Sequence, residues 1–151
     1  MKVQMQHQAE SVATAMMRGC LGVRVGRLQR LVSRRFDQSL RPLGLSVSHL
    51  EVLSALTLWN GPARPSELAE MLAIERSTMS RNLALMEAKG LIHTSETSAT
   101  GRTMAVTITD AGSTALVDVR AVWTMVQNDL ATLVGGDAAE TLDAWLSALT
   151  A

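Results

Sequence analysis

The chain has 151 residues, 47% of them apolar, and a formal net charge of zero, which is enough for one domain with a real core and too apolar for a disordered tail. Abundant Leu, Ala, Val and Met, with three Trp, one Phe and no Tyr, favour helix over sheet. No apolar run reaches the roughly 18–20 residues of a membrane span, the opening MKVQMQHQAESVATAMM lacks a secretory apolar stretch, and the single Cys20 has no internal disulfide partner, so a reducing cytoplasm is expected.

The charge is unevenly spread. Arg18 to Arg102 carries twelve Lys/Arg against seven Asp/Glu, whereas Thr103 to the end has Arg120 against six acids. A basic front and an acidic rear allow one side to face phosphates without a high overall pI.

In chain order, the apolar spacing of Val12, Met16, Val25, Leu28, Leu31, Val32, Phe36 and Leu40 predicts one long helix from Val12 to about Leu40, with Arg27, Arg30 and Arg34 on its polar stripe. Pro42 and Gly44 end it. Ser46 or Ser48 can cap the next helix, and Ser48 with Glu51 has capping-box spacing; its apolar set is Leu50, Leu53, Leu56 and Trp59. After Gly61-Pro62, Pro65 suits a first helical turn, and a short helix is expected over about Pro65 to Leu72.

The next helix is expected from about Glu75 to Lys89, with Gly90 as a left-handed terminator. At about 100° per residue, Met79, Leu83 and Met86 form a core stripe, and Ser77 and Arg81 fall opposite it, flanked by Thr78 and Ser80. Small hydroxyl side chains let a helix approach base edges, and an arginine can make two bonds to guanine. The same pattern also fits an ordinary amphipathic helix; its neighbours favour the first reading. Leu91-Ile92 and Met104 to Ile108 are expected as two strands around a turn-rich tip, where Gly101 permits a positive φ and Arg102 can reach a phosphate or a narrow minor groove. Helix, turn, helix and hairpin in this order suit one helix in the DNA major groove and a wing against the backbone.

Thr109 is expected to cap a second long helix to about Val134. Gly135-Gly136 separates it from a last helix with Asp137 and Glu140 at capping-box spacing and an apolar stripe of Leu142, Trp145, Leu146 and Leu149. The expected fold is mainly α, six helices with a two-stranded β-wing, in one domain over residues 1–151. Residues 46–109 form the winged lobe.

The pattern SELAEML, ERSTMSRNL, MEAKGLI, then a Gly-Arg wing and VTITDAG, resembles the MarR family of winged helix-turn-helix regulators. RLQRLVSRRFDQSLRPLGLS is similar to the end of that family's first helix, and Trp123 stands where one branch carries a tryptophan. Thr100 occupies a position two residues before the wing arginine where the family often has Asp, which leaves the usual bracing of that arginine open.

The resemblance implies a homodimer, with residues 10–45 and 110–151 as an interleaved base, binding a pseudopalindromic double-stranded operator with half-sites about one turn apart. Independently, Leu142, Trp145, Leu146, Leu149 and the first helix offer more apolar surface than a small domain easily covers. The candidate DNA-contacting set is Arg64, Ser66, Arg76, Ser77, Thr78, Ser80, Arg81, Asn82, Thr100 and Arg102. Most members of the family repress neighbouring genes and are released by a small lipophilic or phenolic effector. His49, at the start of the helix that lines the family's effector cleft, and Cys20 are the candidate effector residues.

Cys20 also stands where a peroxide-sensing branch places its reactive thiol, giving a redox-sensing repressor as one alternative; that branch supports its thiolate with tyrosines, and this chain has none. An interaction or antirepressor module without DNA binding is another, opposed by Arg76, Arg81 and Arg102 together. His7, His49 and His93 have no metal-ligand spacing, no nucleophile set has a motif context, and no metal, cofactor or catalytic step is expected.

Overall fold

The computed structural model describes residues 2–96 and 104–150. Among these are eight α-helices and one antiparallel strand pair, in the order α1 (Lys2–Gly19), α2 (Leu21–Leu40), a short 3-10 turn (Arg41–Leu43), α3 (Val47–Trp59), α4 (Pro65–Met71), α5 (Arg76–Ala88), β1 (Ile92–Glu96), β2 (Met104–Ile108), α6 (Asp110–Asp118), α7 (Arg120–Val134) and α8 (Ala138–Thr150). Six helices were expected; the two long ones are each interrupted once. The first starts ten residues earlier than expected, at Lys2, and breaks at Cys20, between Gly19 and Gly22, where glycine lowers the cost of leaving helical geometry. The second breaks at Val119. In both places the backbone ladder carries on: Arg24 N–H donates to the Cys20 carbonyl at 3.2 Å and Trp123 N–H to the Val119 carbonyl at 2.8 Å.

Contacts group the chain into two units, Met1–Arg35 and Phe36–Ala151. In the first, the Arg24 guanidinium donates to the Arg18 carbonyl, placing a cation on the C-terminal end of α1. Val12, Met16, Leu21 and Val25 are all exposed there.

The second unit is built on α3, which packs against α4, α5, α6 and β2. Leu40, Val52, Leu53, Leu68, Met79, Met86 and Val106 are its largest fully buried side chains. Burial along α3 takes in Val52 and Ala55 as well as the expected Leu50, Leu53 and Leu56, because neighbours cover it from several sides; Trp59 stays 42% exposed. The cap of α3 is Ser46 paired with His49, not Ser48 with Glu51. Ser46 has extended backbone (φ −135°, ψ 165°) and accepts from His49 N–H, while His49 Nδ1 accepts from Ser46 N–H at 3.2 Å. Ser48 already lies inside the helix and cannot be its N-cap.

Pro65 is the first residue of α4, and the Glu67 carboxylate accepts from Arg64 N–H at 2.7 Å. The turn between α4 and α5 closes with Ile74 N–H on the Ala69 carbonyl at 2.8 Å and Ala73 N–H on that of Glu70 at 3.1 Å. Ala73 there takes a φ of 51°, a conformation normally left to glycine. The end of α5 uses the same closure with the favoured residue: Gly90 has a φ of 70°, its N–H bonds the Glu87 carbonyl at 2.8 Å, and Leu91 N–H bonds that of Met86 at 3.0 Å.

β1 pairs with β2 from Ile92↔Ile108 to Glu96↔Met104, so β1 extends four residues beyond the expected Leu91-Ile92. Ala63 adds an antiparallel bridge to Val106, with N–H to carbonyl bonds in both directions at 3.0 and 2.8 Å. This short third rung buries Val106 completely and ties the wing to the α3–α4 loop. Thr109 caps α6 as expected, its hydroxyl accepting from Gly112 N–H at 3.0 Å and donating to the Gly90 carbonyl at 2.7 Å.

Candidate nucleic-acid interface

The core stripe expected on α5 is present: Met79 is 1%, Leu83 4% and Met86 0% exposed. Rigid anchoring of these three residues fixes which side of the helix faces out. Ser77, Ser80 and Arg81 lie on that outer side and are exposed, as are Arg64, Ser66 and Arg76 on the start of α4 and of α5; Thr78 and Asn82 are half-buried at the margins. The fold therefore gathers the described members of the candidate set on α4, α5 and the residue before α4. Thr100 and Arg102, the expected wing contacts, lie outside the described residues.

The C-terminal end of α5 is held from behind. Glu87, in the last turn of α5, accepts from Thr94 N–H at 2.9 Å and from the Thr94 hydroxyl, fastening the helix to β1. These bonds, side chain first, hold the Glu87 carboxyl below its ordinary range. Lys89 Nζ donates to the Gly44 carbonyl and Asp37 accepts from Val47 N–H at 2.8 Å, so the end of α2 and the entry to α3 are linked to the end of α5. Sequence reasoning missed Lys89. No motif marks a lysine whose partner is a carbonyl 45 positions away.

His49 is buried, 8% exposed, and engaged in the α3 cap. Burial first, then the Lys89 cation, lower its pKa from 6.5, against an opposing pull from Asp37. Cys20 is half-buried between α1 and α2. Neither residue is among those lining an apolar cavity of the second unit that has a volume of about 750 Å³. That cavity lies among the end of α2, α3, α4, α6 and α7, with Phe36, Leu58, Met71 and Trp123 giving apolar wall and Glu51, Arg120 and Gln127 its longer polar groups. Burial, then Asp37, pushes the Glu51 carboxyl up from 4.5. In the sequence Glu51 was readable only as a capping-box partner for Ser48, because the wall it joins is assembled from five separate elements.

Among the described residues no cluster of three His, Cys, Asp or Glu could hold a metal ion, and no helix is long and apolar enough to cross a membrane.

Residues 43–103 match the model of the MarR family. No curated protein sequence matches the chain. In structure it is similar to the M. tuberculosis transcriptional regulator MosR in complex with DNA, at 27% identity over 87% of this chain and 96% of that one, with a TM-score of 0.73. It is likewise similar to the transcriptional repressor CouR bound to a 23-mer DNA duplex, at 25% identity over 90% and 96% of the two chains, TM-score 0.73. A mutant MarR from E. coli complexed with operator DNA shares the fold, at 19% identity over 89% and 96%, TM-score 0.75.

Proposed function

We propose that this chain, whose residues 43–103 match the MarR family model, is a sequence-specific DNA-binding winged helix-turn-helix regulator of that family, not an enzyme, that represses transcription in the cytoplasm as a homodimer. The observation that carries this reading is the outer face of α5. Ser77, Ser80 and Arg81 stand exposed on a helix whose opposite side is locked by Met79, Leu83 and Met86. A locked helix presents its donors in one orientation, which direct reading of base edges requires. Arg64, Ser66 and Arg76 supply nearby groups for phosphates, which position the protein without carrying sequence information.

Release from DNA is assigned to a small lipophilic or phenolic effector. The cavity among the end of α2, α3, α4, α6 and α7 supports this, since about 750 Å³ of mainly apolar space suits a drug-sized molecule. It touches α4, the first helix of the DNA-reading pair, so an occupant favouring one placement of α4 shifts DNA affinity by its differential binding to the two states.

The test uses a duplex selected by the protein from a random library, and its scrambled version. Arg81→Ala, and Ser77→Ala with Thr78→Ala, should each weaken selected-duplex binding by about 1–3 kcal/mol per lost base contact and narrow the ratio between duplexes. Unchanged ratios would remove α5 from base reading and leave a winged-helix interaction module as the better account. Repeating the titration with a lipophilic phenolic acid tests release: affinity should fall in the parent and be restored by Leu58→Trp, which fills the cavity. Equal loss in both proteins would place the effector elsewhere.

A further inference from the structure

The outer face of α5 changes chemistry halfway along. At about 100° per residue, Ser77, Ser80, Arg81, Ala84 and Ala88 fall within about 100° of one another, opposite Met79, Leu83 and Met86, with Leu85 about 40° beyond Arg81. All six outer residues are exposed, Leu85 at 58%. The N-terminal half is thus hydroxyl and guanidinium, and the C-terminal half is apolar apart from Glu87, about 20° beyond Ser80, whose carboxylate is bonded back to Thr94. A water-facing helix side is usually charged or amide, and this one carries Ala, Leu and Ala in continuity with the hydrogen-bonding half. The four bases offer one apolar group in the major groove, the C5 methyl of thymine. Ala84 and Leu85 lie about 4.5 and 6 Å along the axis from Arg81, and base pairs stack at about 3.4 Å. That separation spans one to two base steps.

We propose that Ala84 and Leu85 are specificity-determining residues that read thymine methyl groups one to two base pairs from the base contacted by Arg81. The proposal rests on the assignment of α5 to base reading. Each half-site then places a thymine beside the base, guanine by preference, that Arg81 reads.

The experiment isolates the methyl group. In the duplex selected from a random library, each thymine of a half-site is replaced singly by deoxyuridine, which pairs identically and lacks only the C5 methyl. The parent chain should lose about fourfold in affinity at one or two positions beside the Arg81 base, the scale of one buried methyl-sized group. Leu85→Ala should abolish the thymine-to-uracil ratio at one position and Ala84→Gly at the other. The ratio is internal to each variant, so a general loss of helix stability in Ala84→Gly does not mimic the result, and Leu85→Ala keeps a strong helix former. A parent chain indifferent to every replacement, a ratio that survives in both variants, or a selected half-site lacking thymine there would overturn the methyl reading. Failure to distinguish the selected from the scrambled duplex would instead overturn the assignment of α5, and this proposal with it.

Discussion

His49 does a job usually given to glutamate. At the third position of α3 its ring accepts the Ser46 N–H, closing a capping box with an acceptor that can be titrated away. Burial first, then the Lys89 cation, holds the pKa of the folded chain below 6.5, and protonation would turn Nδ1 from acceptor to donor. The unfolded chain takes up a proton near pH 6.5 and the folded chain resists it, so the unfolded state binds more protons in that window. Stability should therefore be full above about pH 6.5 and fall as the pH drops below it, until the folded ring protonates as well. His49→Gln keeps an N3 acceptor that does not titrate. Urea midpoints measured at about pH 7.5 and 5.5 should converge in that variant relative to the parent; an equal acid loss in both would show that other groups set the pH dependence. The alternative capping pair in the sequence, Ser48 and Glu51, has the better motif. What decided against it is where the chain turns after Gly44, a tertiary matter that spacing does not encode.

At the scale of elements, the approach of α6 to the rest of the lobe depends on one missing side chain. A Cβ on Gly112 would stand 2.1 Å from the Leu91 carbonyl oxygen, 2.9 Å from Ile108 Cγ1 and 3.1 Å from Leu53 Cδ2. Two effects oppose each other in Gly112→Ala. Helix propensity favours alanine by about 1 kcal/mol, but a backbone oxygen in a packed turn cannot yield the needed ångström cheaply, and overpacking costs about 1–3 kcal/mol or more. The clash wins, so denaturant unfolding should show a net loss of about 1–2 kcal/mol. A stabilised variant would mean that α6 moves away from β1 without cost. Periodicity revealed the elements that carry an amphipathic stripe, including α5 with its locked core and outer hydroxyls. It did not reveal the breaks at Cys20 and Val119, because the i to i−4 bonds and the apolar rhythm continue through both. Nor did it reveal most of β1, since His93, Thr94, Ser95 and Glu96 alternate no apolar residues and owe their strand to pairing with β2. The outer face of α5 was legible because one helix carries it. The cavity was not, because residues far apart in sequence line it.

At the scale of the whole molecule, α8 has no buried residue. Leu142, Trp145, Leu146 and Leu149 follow the i, i+3, i+4, i+7 rhythm of a helix built to be covered, yet they are 41%, 47%, 61% and 84% exposed. A contiguous stripe of this size is normally an interface, and at roughly 25 cal/mol per Å² its burial against a second copy is a substantial driving force. The proposed dimerisation through α8 would also account for the division of charge along the sequence. The segment from Asp110 to Asp143 holds six acids against Arg120, a composition unsuited to phosphates and acceptable in a base held away from them. Deleting 137–151 should yield monomer or aggregate by sedimentation. Leu146→Glu gives a cleaner test, since it leaves the helix intact and puts a charge in the stripe. That variant should sediment as a monomer at micromolar concentration, retain its far-ultraviolet helix signal, and bind a single half-site as the parent's lobe does while losing the tight binding to a paired site. The last effect follows from linking two binding events on one symmetric duplex, which raises avidity by roughly 10²–10⁴ without new contacts. A Leu146→Glu chain that still sediments as a stable dimer and prefers paired sites would move the interface away from α8.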